Sequence, residues 1–592
     1  MSIRRMHAAA TALLLALGAA AGGMPAPPSA AAAPAASAEL VDPIMVPPPA
    51  EFQPNGSSWS PSEGTRILVT DESLAGEGAR LAEELVALGL LDHAPEVAFI
   101  DPGEAETLAA DLREGHEDLI LTTADAPGIR VATADVTSVV VAGADAAEVF
   151  RVTRPLLQQL QAAGMLPGGS YRFELPAGQI RSLHIDIARK HYSLESLEAL
   201  IRQLSWFGFT ELELHFSENE GFAIESTSHP DIVSPDAHSQ EEIRGLVELA
   251  NSLHIRVVPS LDMPGHLDHA LDAYPELRLR DASGGEVFGA LDVTRPEGVE
   301  FAHELIAEYA ELFAQPGFEE PVPWNLGADE FVDFGDAGQV AALAEAARAE
   351  FGPDATAYDA LTGFVNDTAA VIRDEGFAPR VWSDGMLRAE QATLDEEVEI
   401  AYWTQRPPGA VPATEFAERG YRLLNVNDEY LYFVLGERVE YYYPTGDAIL
   451  ADWHEGVYPS VDGAPELVED SAGGMLAVWS DIPDAMGDAE VVDAVRGPIA
   501  AMAVKFADPD SAMTFADLET ALAGIGHAPE VEAPAAPDPL PTVSADGGGA
   551  EAPDADERTP SAPTMPLLVL GGAALLIVLG LGAVMLRRRS RR

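Results

Sequence analysis

Residues 181–216 read RSLHIDIARKHYSLESLEALIRQLSWFGFTELELHF, and this stretch carries the pattern that predicts the fold. An apolar run over 183–188 predicts a buried strand, the amphipathic run over 194–206 predicts a helix, and 211–216 predicts a second strand. The same alternation continues downstream. It gives eight candidate strands, at 183–188, 211–216, 255–261, 322–326, 380–383, 398–403, 421–425 and 475–479.

Helical patterns separate these strands, for example over 239–253, 296–313, 357–375 and 412–420. Eight strands with intervening helices over 181–527 predict a (β/α)8 TIM barrel, whose active site lies at the carboxyl ends of the strands. A doubly wound open sheet is the alternative, but no glycine-rich phosphate loop follows the first strand. Upstream, shorter β-like runs and helical stretches over 39–180 predict a small α/β domain without an acid–base constellation.

The composition excludes several classes of partner and chemistry. The 592 residues include 34 Lys+Arg against 97 Asp+Glu, a net charge of −63, which argues against nucleic acid or an anionic membrane surface as the main partner. The chain has no cysteine, so disulfides and thiolate chemistry are excluded. The oligomeric state is left open.

Both ends of the chain carry targeting patterns. Basic residues, an apolar stretch and small residues over 1–38 predict a secretory signal peptide. A Pro/Ala/Asp-rich stretch over 528–565 predicts an extended stalk, the apolar run 566–586 a transmembrane helix, and 587–592 a basic cytoplasmic tail. The expected location is the extracellular face of the cell membrane, with the arginine-rich tail inside. A cell-wall sorting signal is the weaker alternative, because LPTVS at 540–544 lacks the end of that motif.

Polar and aromatic side chains cluster where the barrel would place its chemistry. Asp329 and Glu330 stand side by side in WNLGADEF, residues 324–331, just after the fourth strand. Such an acid pair can divide the labour of sugar hydrolysis between a proton donor and a charge stabiliser. The other strand ends carry His215, Asp262, His266, Trp382, Trp403 and Trp479. Because tryptophan rings stack on sugars, a carbohydrate pocket is predicted; core packing of these rings and a surface loop for the acids are the alternatives.

Four motifs in order then carry a resemblance to a known family. They are RSLHIDIAR at 181–189, HFSENEGF at 215–222, DMPGH at 262–266 and LGADE at 326–330. Their order and spacing resemble the β-N-acetylhexosaminidases of glycoside hydrolase family 20, over about residues 181–505. The region before the barrel resembles the small α/β domain that often precedes it in that family.

The resemblance implies a mechanism and a role for each acid. Glu330 would be the general acid and base, and Asp329 would orient the substrate's acetamide N–H and stabilise an oxazolinium intermediate. The nucleophile would be the 2-acetamido oxygen of the substrate itself. Tyr430 or Tyr432 would hold that oxygen, and the sequence does not separate them. No metal and no organic cofactor is implied.

The resemblance also implies the walls of the sugar pocket. Arg181 would bind hydroxyls of the terminal sugar, and Trp382, Trp403 and Trp479 would wall the pocket. His215 falls in the matching strand-two motif, and His266, with Asp262 nearby, would tune the acid from behind. Asp481 stands where the family often has a glutamate, one methylene longer, so the contact to the outer hydroxyls differs. Asn325, Ala328 and Asn219 depart from the family pattern as well.

The leading hypothesis is therefore an exo-acting retaining β-N-acetylhexosaminidase that removes terminal β-linked GlcNAc or GalNAc from a glycan. A lacto-N-biosidase, which releases a disaccharide, is the alternative on the same fold. A surface carbohydrate-binding protein without turnover is the alternative from another class.

Overall fold

The computed structural model describes residues 42–100, 118–131, 138–174, 176, 178–437, 441–461 and 464–531. All of them belong to the first of the two units into which the chain divides, Met1–Pro534. The predicted signal peptide, transmembrane helix and tail, and nearly all of the predicted stalk, lie outside the described residues. Within the described ranges, no helix combines the length and the apolar character needed to cross a membrane.

The first part of the described chain forms a mixed sheet backed by helices. Its strands are β1 (Glu51–Trp59), β2 (Arg66–Val69), β3 (Glu96–Phe99), β4 (Leu119–Thr123), β5 (Gly128–Val131), β6 (Val139–Gly143) and β7 (Leu166–Arg172). The seven strands lie in the order β1-β7-β5-β6-β4-β2-β3. The helices are α1 (Ala75–Ala87) and α2 (Ala146–Ala163). Helix α2 packs beneath the second part of the chain, since Gln158 Nε2 donates to the Trp206 carbonyl at 2.8 Å.

The second part is a closed barrel of eight parallel strands, which confirms the predicted TIM barrel. The strands are β8 (Ile180–Asp186), β9 (Glu211–His215), β10 (Arg256–Ser260), β11 (Pro323–Asn325), β12 (Ala378–Trp382), β13 (Glu399–Tyr402), β14 (Leu423–Asn425) and β15 (Gly473–Trp479). Each pairs with the next in parallel, and β15 closes the ring by pairing with β8. Every predicted strand overlaps one of these eight, because short apolar runs bounded by polar segments suit strands buried on both faces.

Helices surround the barrel and complete the layered core. They are α3 (Leu194–Trp206), α4 (Gln240–Ser252), α5 (Asp268–Ala273), α6 (Pro296–Leu312), α7 (Ala341–Phe351), α8 (Ala357–Asp374), α9 (Ala413–Glu418), α10 (Gly446–Asp452), α11 (Asp488–Ala494), α12 (Arg496–Ala507) and α13 (Phe515–Ile525). Side-chain hydrogen bonds cap the N-termini of several of these helices. Ser193 caps α3 by accepting from the Ser196 N–H, and Ser239 forms a capping box with Glu242 at α4.

Two segments near the predicted domain boundaries pack into the folded body. The stalk was predicted to begin at 528, yet Ala528 is buried and Glu530 forms an ion pair with Arg202 at 2.6 Å. Near the start, the Pro-rich stretch around Val46 is also buried, and the Val46 N–H donates to Gln158 Oε1 at 2.8 Å. Both segments supply apolar side chains that the helices cover, so they belong to the folded body.

Candidate active site

A tight turn after β11 presents the acid pair at the carboxyl end of the barrel. Gly327, Ala328 and Glu330 have positive φ angles of 79°, 69° and 43°. A Cβ atom on Gly327 would lie 1.9 Å from an oxygen of Asp262, so only glycine fits there. Non-glycine residues rarely adopt positive φ, and such conformations concentrate at functional sites. The turn therefore separates the directions of the two neighbouring carboxylates.

Asp329 and Glu330 consequently occupy different environments. The Asp329 side chain is 12% exposed, whereas that of Glu330 is 62% exposed. Within the described part of the chain, Asp329 Oδ1 is buried without a hydrogen-bond partner. Desolvation, followed by repulsion from Asp329, raises the pKa of Glu330 above its usual value. One acid thus faces inward with an acceptor atom to offer, and the other faces solvent with its proton held more firmly.

His266 lies between the two acids. Its Nε2 is 3.6 Å from Asp329 Oδ2 and 3.8 Å from Glu330 Oε2, and its Nδ1 is 3.0 Å from Glu218 Oε2. Burial alone would lower the pKa of His266, but the carboxylates of Glu218, Asp262 and Asp329 outweigh it and raise the pKa well above its usual range. The imidazolium therefore links the acid pair to a buried network behind it.

Asp262 lies behind the turn that carries the acid pair. It is buried, and its Oδ1 accepts from the Ala328 N–H at 3.3 Å. Burial, followed by repulsion from Asp329, raises the pKa of Asp262 well above its usual value. The polar atoms of Asp262, His266 and Asp329 all lie within 4.8 Å of one another, a spacing that a metal could bridge. The same residues also form a connected polar network by themselves, since His266 Nε2 lies 3.6 Å from Asp329 Oδ2.

Glu218 and Arg189 form the other side of this network. An Arg189 Nη donates to Glu218, and its Nη1 donates to Asp186 Oδ2 at 2.9 Å. Burial alone would raise the pKa of Glu218, but His266, His215 and Arg189 outweigh it and lower the pKa well below its usual value. The Arg189 guanidinium also lies 5.8 Å from the ring centre of Trp479, so the network extends to that tryptophan.

This geometry corrects the prediction for Arg181. Arg181 lies at the start of β8, where its Nε donates to the Gly208 carbonyl at 2.7 Å, beneath the barrel. The active site lies at the carboxyl ends, and Arg189 follows that end of the same strand. Arg189 therefore takes the position that the resemblance assigned to Arg181.

The three predicted tryptophans come together in one wall. Trp382 and Trp479 have ring centres 5.8 Å apart, and Trp403 stacks on Tyr432 at 5.6 Å with an interplanar angle of 9°. Tyr432 lies 6.0 Å from Trp479, which joins the two pairs. Trp382 is only 1% exposed and completes the core, whereas Trp403 and Trp479 are partly exposed and can offer ring faces to a ligand.

The structure separates the two candidate tyrosines. Tyr432 begins a short strand, Tyr432–Val434, that pairs with β15, and it stacks within the tryptophan wall. Burial and nearby acids, Asp329 among them, raise the pKa of Tyr432 well above its usual range. Tyr430 instead packs against the main hydrophobic core outside that wall. Of these two tyrosines, only Tyr432 lies in the tryptophan wall.

His215 is buried, whereas Asp481 is exposed to solvent. His215 is fully buried beneath Trp479, with Nδ1 3.0 Å from Ser260 Oγ and Nε2 3.4 Å from Glu218 Oε1. The prediction that it binds substrate is therefore corrected, since it can hold Glu218 in place but presents no surface to a sugar. Asp481 is exposed just after β15, on the rim of the barrel.

Besides Arg189 and Glu218, to which the sequence analysis assigned no role, Asp384 is a further site residue that sequence reasoning missed. Asp384 accepts from the Trp403 indole N–H at 3.1 Å and from the Glu330 backbone N–H at 3.3 Å. Burial, followed by repulsion from Asp329, raises the pKa of Asp384 to about 7. It follows β12 by two residues, so its place after a strand end was the only available signal.

A cavity of about 510 Å³ opens beside Glu330. Glu330, Asp384 and Tyr358 line it. Tyr358 stacks on Phe334 with ring centres 3.9 Å apart, and the Arg388 guanidinium lies 4.3 Å from the Tyr358 ring centre.

The catalytic-domain model of glycosyl hydrolase family 20 matches residues 179–488, just over half of the chain. The chain belongs to glycosyl hydrolase family 20. Among curated proteins, this chain is similar to the lacto-N-biosidase of Bifidobacterium bifidum. The two are 25% identical over 455 residues, which cover 75% of this chain and 38% of that protein. This chain is also 24% identical over 316 residues to the β-hexosaminidase of Porphyromonas gingivalis, covering 48% of this chain and again 38% of the relative.

This family 20 chain therefore spans less than two-fifths of the length of these two relatives. Solved structures share its fold. The family 20 β-N-acetylhexosaminidase of Streptomyces coelicolor superposes with a TM-score of 0.61 at 20% identity, covering 82% of this chain and 96% of that one. The exo-β-N-acetylglucosaminidase of Vibrio harveyi gives a TM-score of 0.63 at 17% identity, covering 82% and 76%.

Proposed function

We propose that this family 20 chain is an exo-acting retaining β-N-acetylhexosaminidase that hydrolyses terminal β-linked GlcNAc or GalNAc by substrate-assisted catalysis. The observation that carries the proposal is the contrast between the adjacent acids. Asp329 is 12% exposed with a buried unpartnered oxygen within the described chain, whereas Glu330 is 62% exposed and has a raised pKa. Two carboxylates whose environments differ in this way can take different roles.

Glu330, which is exposed and has a raised pKa, suits the general acid. It lines the cavity beside the site, so its proton can reach the oxygen of a leaving group there. The C–O bond to the leaving group breaks as that proton is transferred. The resulting Glu330 carboxylate then takes a proton from the water that completes hydrolysis.

Asp329 suits a charge stabiliser rather than a nucleophile. Adjacent side chains cannot flank a glycosidic bond from opposite faces, as the two acids of an ordinary retaining glycosidase do. The acetamido oxygen of the substrate would attack the anomeric carbon instead. Asp329 Oδ1 would accept the acetamide N–H, the nearby charge would offset the positive oxazolinium, and Tyr432 would hold the acetamide oxygen.

Release of a disaccharide is the second candidate. The similarity to a lacto-N-biosidase covers 75% of this chain, against 48% for the β-hexosaminidase of Porphyromonas gingivalis. A polar group also lies just beyond the tryptophan wall. Asp428 accepts from Tyr441 at 3.1 Å and pairs with Arg406 at 2.9 Å, and its N–H donates to the Trp403 carbonyl at 3.0 Å. Such groups could bind the hydroxyls of a second sugar.

The test compares chromogenic p-nitrophenyl β-glycosides of GlcNAc, GalNAc and lacto-N-biose. Release from the first two supports the hexosaminidase, release from the third alone supports disaccharide cleavage, and binding without release supports a carbohydrate-binding protein. Glu330→Gln is expected to lose about 10²–10⁴-fold in kcat on whichever substrate is cleaved. Glu320→Gln, at an exposed acid outside the site, is the matched control. Full activity in Glu330→Gln would refute the proposal.

A further inference from the structure

A second cavity lies at the opposite end of the barrel, where α2 meets the amino ends of the strands. The space in it that the centre of a water molecule can occupy is about 30 Å³, and three arginines line it, Arg151 and Arg154 of α2 and Arg181 of β8. Apolar side chains form most of the remaining wall, namely Val46, Phe173, Trp206 and Phe506. Arg181 lies at the other end of β8 from the active-site arginine, roughly 15–20 Å away along the strand. The proposed function leaves this cavity unused.

Other buried arginines of this chain each bind a carboxylate. Arg154 pairs with Glu84, Arg278 with Asp268, and Arg380 with Glu213. That pairing is the usual condition for burying a guanidinium, because an uncompensated charge in a low-dielectric interior is costly. Arg151 and Arg181 do not meet this condition within the described part of the chain.

Arg151 has a buried donor without a partner. Its Nε is shielded from solvent and forms no hydrogen bond to any described residue. The nearest acids on its own helix are occupied in capping, since Asp145 Oδ1 accepts from the Glu148 N–H at 2.7 Å and Glu148 accepts from the Ala144 N–H. Burial lowers the pKa of Arg151, and these acids offset that effect only in part. The guanidinium therefore lies in a position that favours an additional negative charge.

Arg181 is 5% exposed and binds only neutral acceptors among the described residues. Its Nε donates to the Gly208 carbonyl at 2.7 Å and its Nη1 to Gln179 Oε1 at 3.2 Å. Burial, followed by repulsion from Arg151, lowers the pKa of Arg181 to about 9. Two like charges are thus held close together, and water could satisfy their N–H groups without neutralising them.

We propose that the cavity between Arg151 and Arg181 is a binding site for a small oxyanion, of the phosphate, sulfate or carboxylate class. Guanidinium groups present planar forks of N–H donors that match the oxygens of such anions. The Glu174 carboxylate also lines the cavity, but Arg172 binds it and draws it toward the exposed surface. A bound oxyanion would join α2 to the base of the barrel and stabilise their packing.

The test measures the melting temperature of the full chain in phosphate, sulfate and acetate, each against sodium chloride at equal ionic strength. At about ten times the half-saturating concentration, a bound oxyanion should raise the melting temperature by about 1–3 °C. The series shows which oxyanion binds best. Isothermal titration with inorganic phosphate supplies a direct stoichiometry, expected to be one per chain.

Arg151→Met removes the charge with little change in volume and breaks no hydrogen bond of the described structure. It should abolish the oxyanion-dependent shift while melting no lower than wild type in chloride. Arg244→Met, at an exposed arginine of α4, is the matched control and should retain the shift. No shift in wild type, or an equal shift in Arg151→Met, would overturn the proposal. Arg151→Met should leave the rates of hydrolysis unchanged. The oxyanion proposal can therefore be refuted without refuting the proposed function, and the reverse also holds.

Discussion

His266 Nε2 lies 3.6 Å from Asp329 Oδ2, and the same nitrogen lies 3.8 Å from Glu330 Oε2. One imidazolium therefore contacts both carboxylates of the pair at distances somewhat longer than a hydrogen bond. Catalytic contacts often shorten only when substrate is bound. The positive charge holds the acids close together despite their mutual repulsion, and it lowers the pKa of Glu330 against the opposing effects of burial and Asp329.

Replacing His266 should shift the pH profile as well as the rate. In His266→Gln the positive charge is lost, so the pKa of Glu330 rises and the loss of activity at high pH moves to still higher pH. We expect kcat to fall by about 10²-fold, with a smaller change in KM. A pH–rate profile of kcat checks both effects. An unchanged basic limb would show that His266 does not act on Glu330.

Arg189 and Arg181 make a matched pair for the sugar-binding role. Arg189→Lys keeps the charge but loses the fork that joins Asp186 and Glu218 beside Trp479, so kcat/KM should fall by about 10–100-fold. Arg181→Lys changes the base of the barrel and should leave kcat/KM within about twofold of wild type. Steady-state kinetics with a chromogenic substrate measures both. The reverse ranking would restore the original assignment of Arg181.

The two tyrosines offer a second matched pair. Tyr432→Phe removes the hydroxyl inside the tryptophan wall and should lower kcat by about 10–100-fold, because it removes one group that holds the acetamide oxygen. Tyr430→Phe, which lies against the main core, should keep kcat near that of wild type. Kinetic constants and circular dichroism of both variants are the measurements. Equal losses in the two variants would contradict the placement.

The raised pKa of Asp384 leads us to expect that the stability of the protein depends on pH. The pKa of Asp384 is raised in the folded protein to about 7, so this residue contributes stability below the pKa of the unfolded chain, and this contribution is lost as the pH rises toward 7. Between pH 4 and 8 the melting temperature of Asp384→Asn should therefore fall less than that of wild type. Asp374→Asn, at an exposed acid of α8, is the control and should follow wild type. Identical curves for Asp384→Asn and wild type would refute the raised pKa.

Much of the fold was predictable because its signal is local. Each barrel strand is a short apolar run, and the acid pair follows one of them in a glycine-containing turn. The choice between Arg181 and Arg189 was also within reach, since the barrel places chemistry at the carboxyl end of a strand and only Arg189 follows that end.

Other parts of the site depend on contacts between distant segments. The residues next to Asp384 in the sequence do not predict its hydrogen bond with Trp403. The donor is the Trp403 indole N–H, and Trp403 follows the next strand of the barrel. Tyr430 and Tyr432 have different surroundings because the strand that pairs with β15 begins only at Tyr432. That starting point depends on the register of the strands, which the amino-acid composition does not reveal. The buried position of His215 likewise follows from packing beneath Trp479.

The central claim is that the nucleophile belongs to the substrate and that Asp329 only assists it. The most direct measurement is kcat/KM for p-nitrophenyl β-glucosaminides whose N-acyl group carries zero, one, two or three fluorine atoms. Fluorine withdraws electrons from the acyl oxygen, so the rate should fall at each step, by more than about tenfold over the series. A rate independent of fluorination, or a covalent sugar bound to Asp329, would contradict the account.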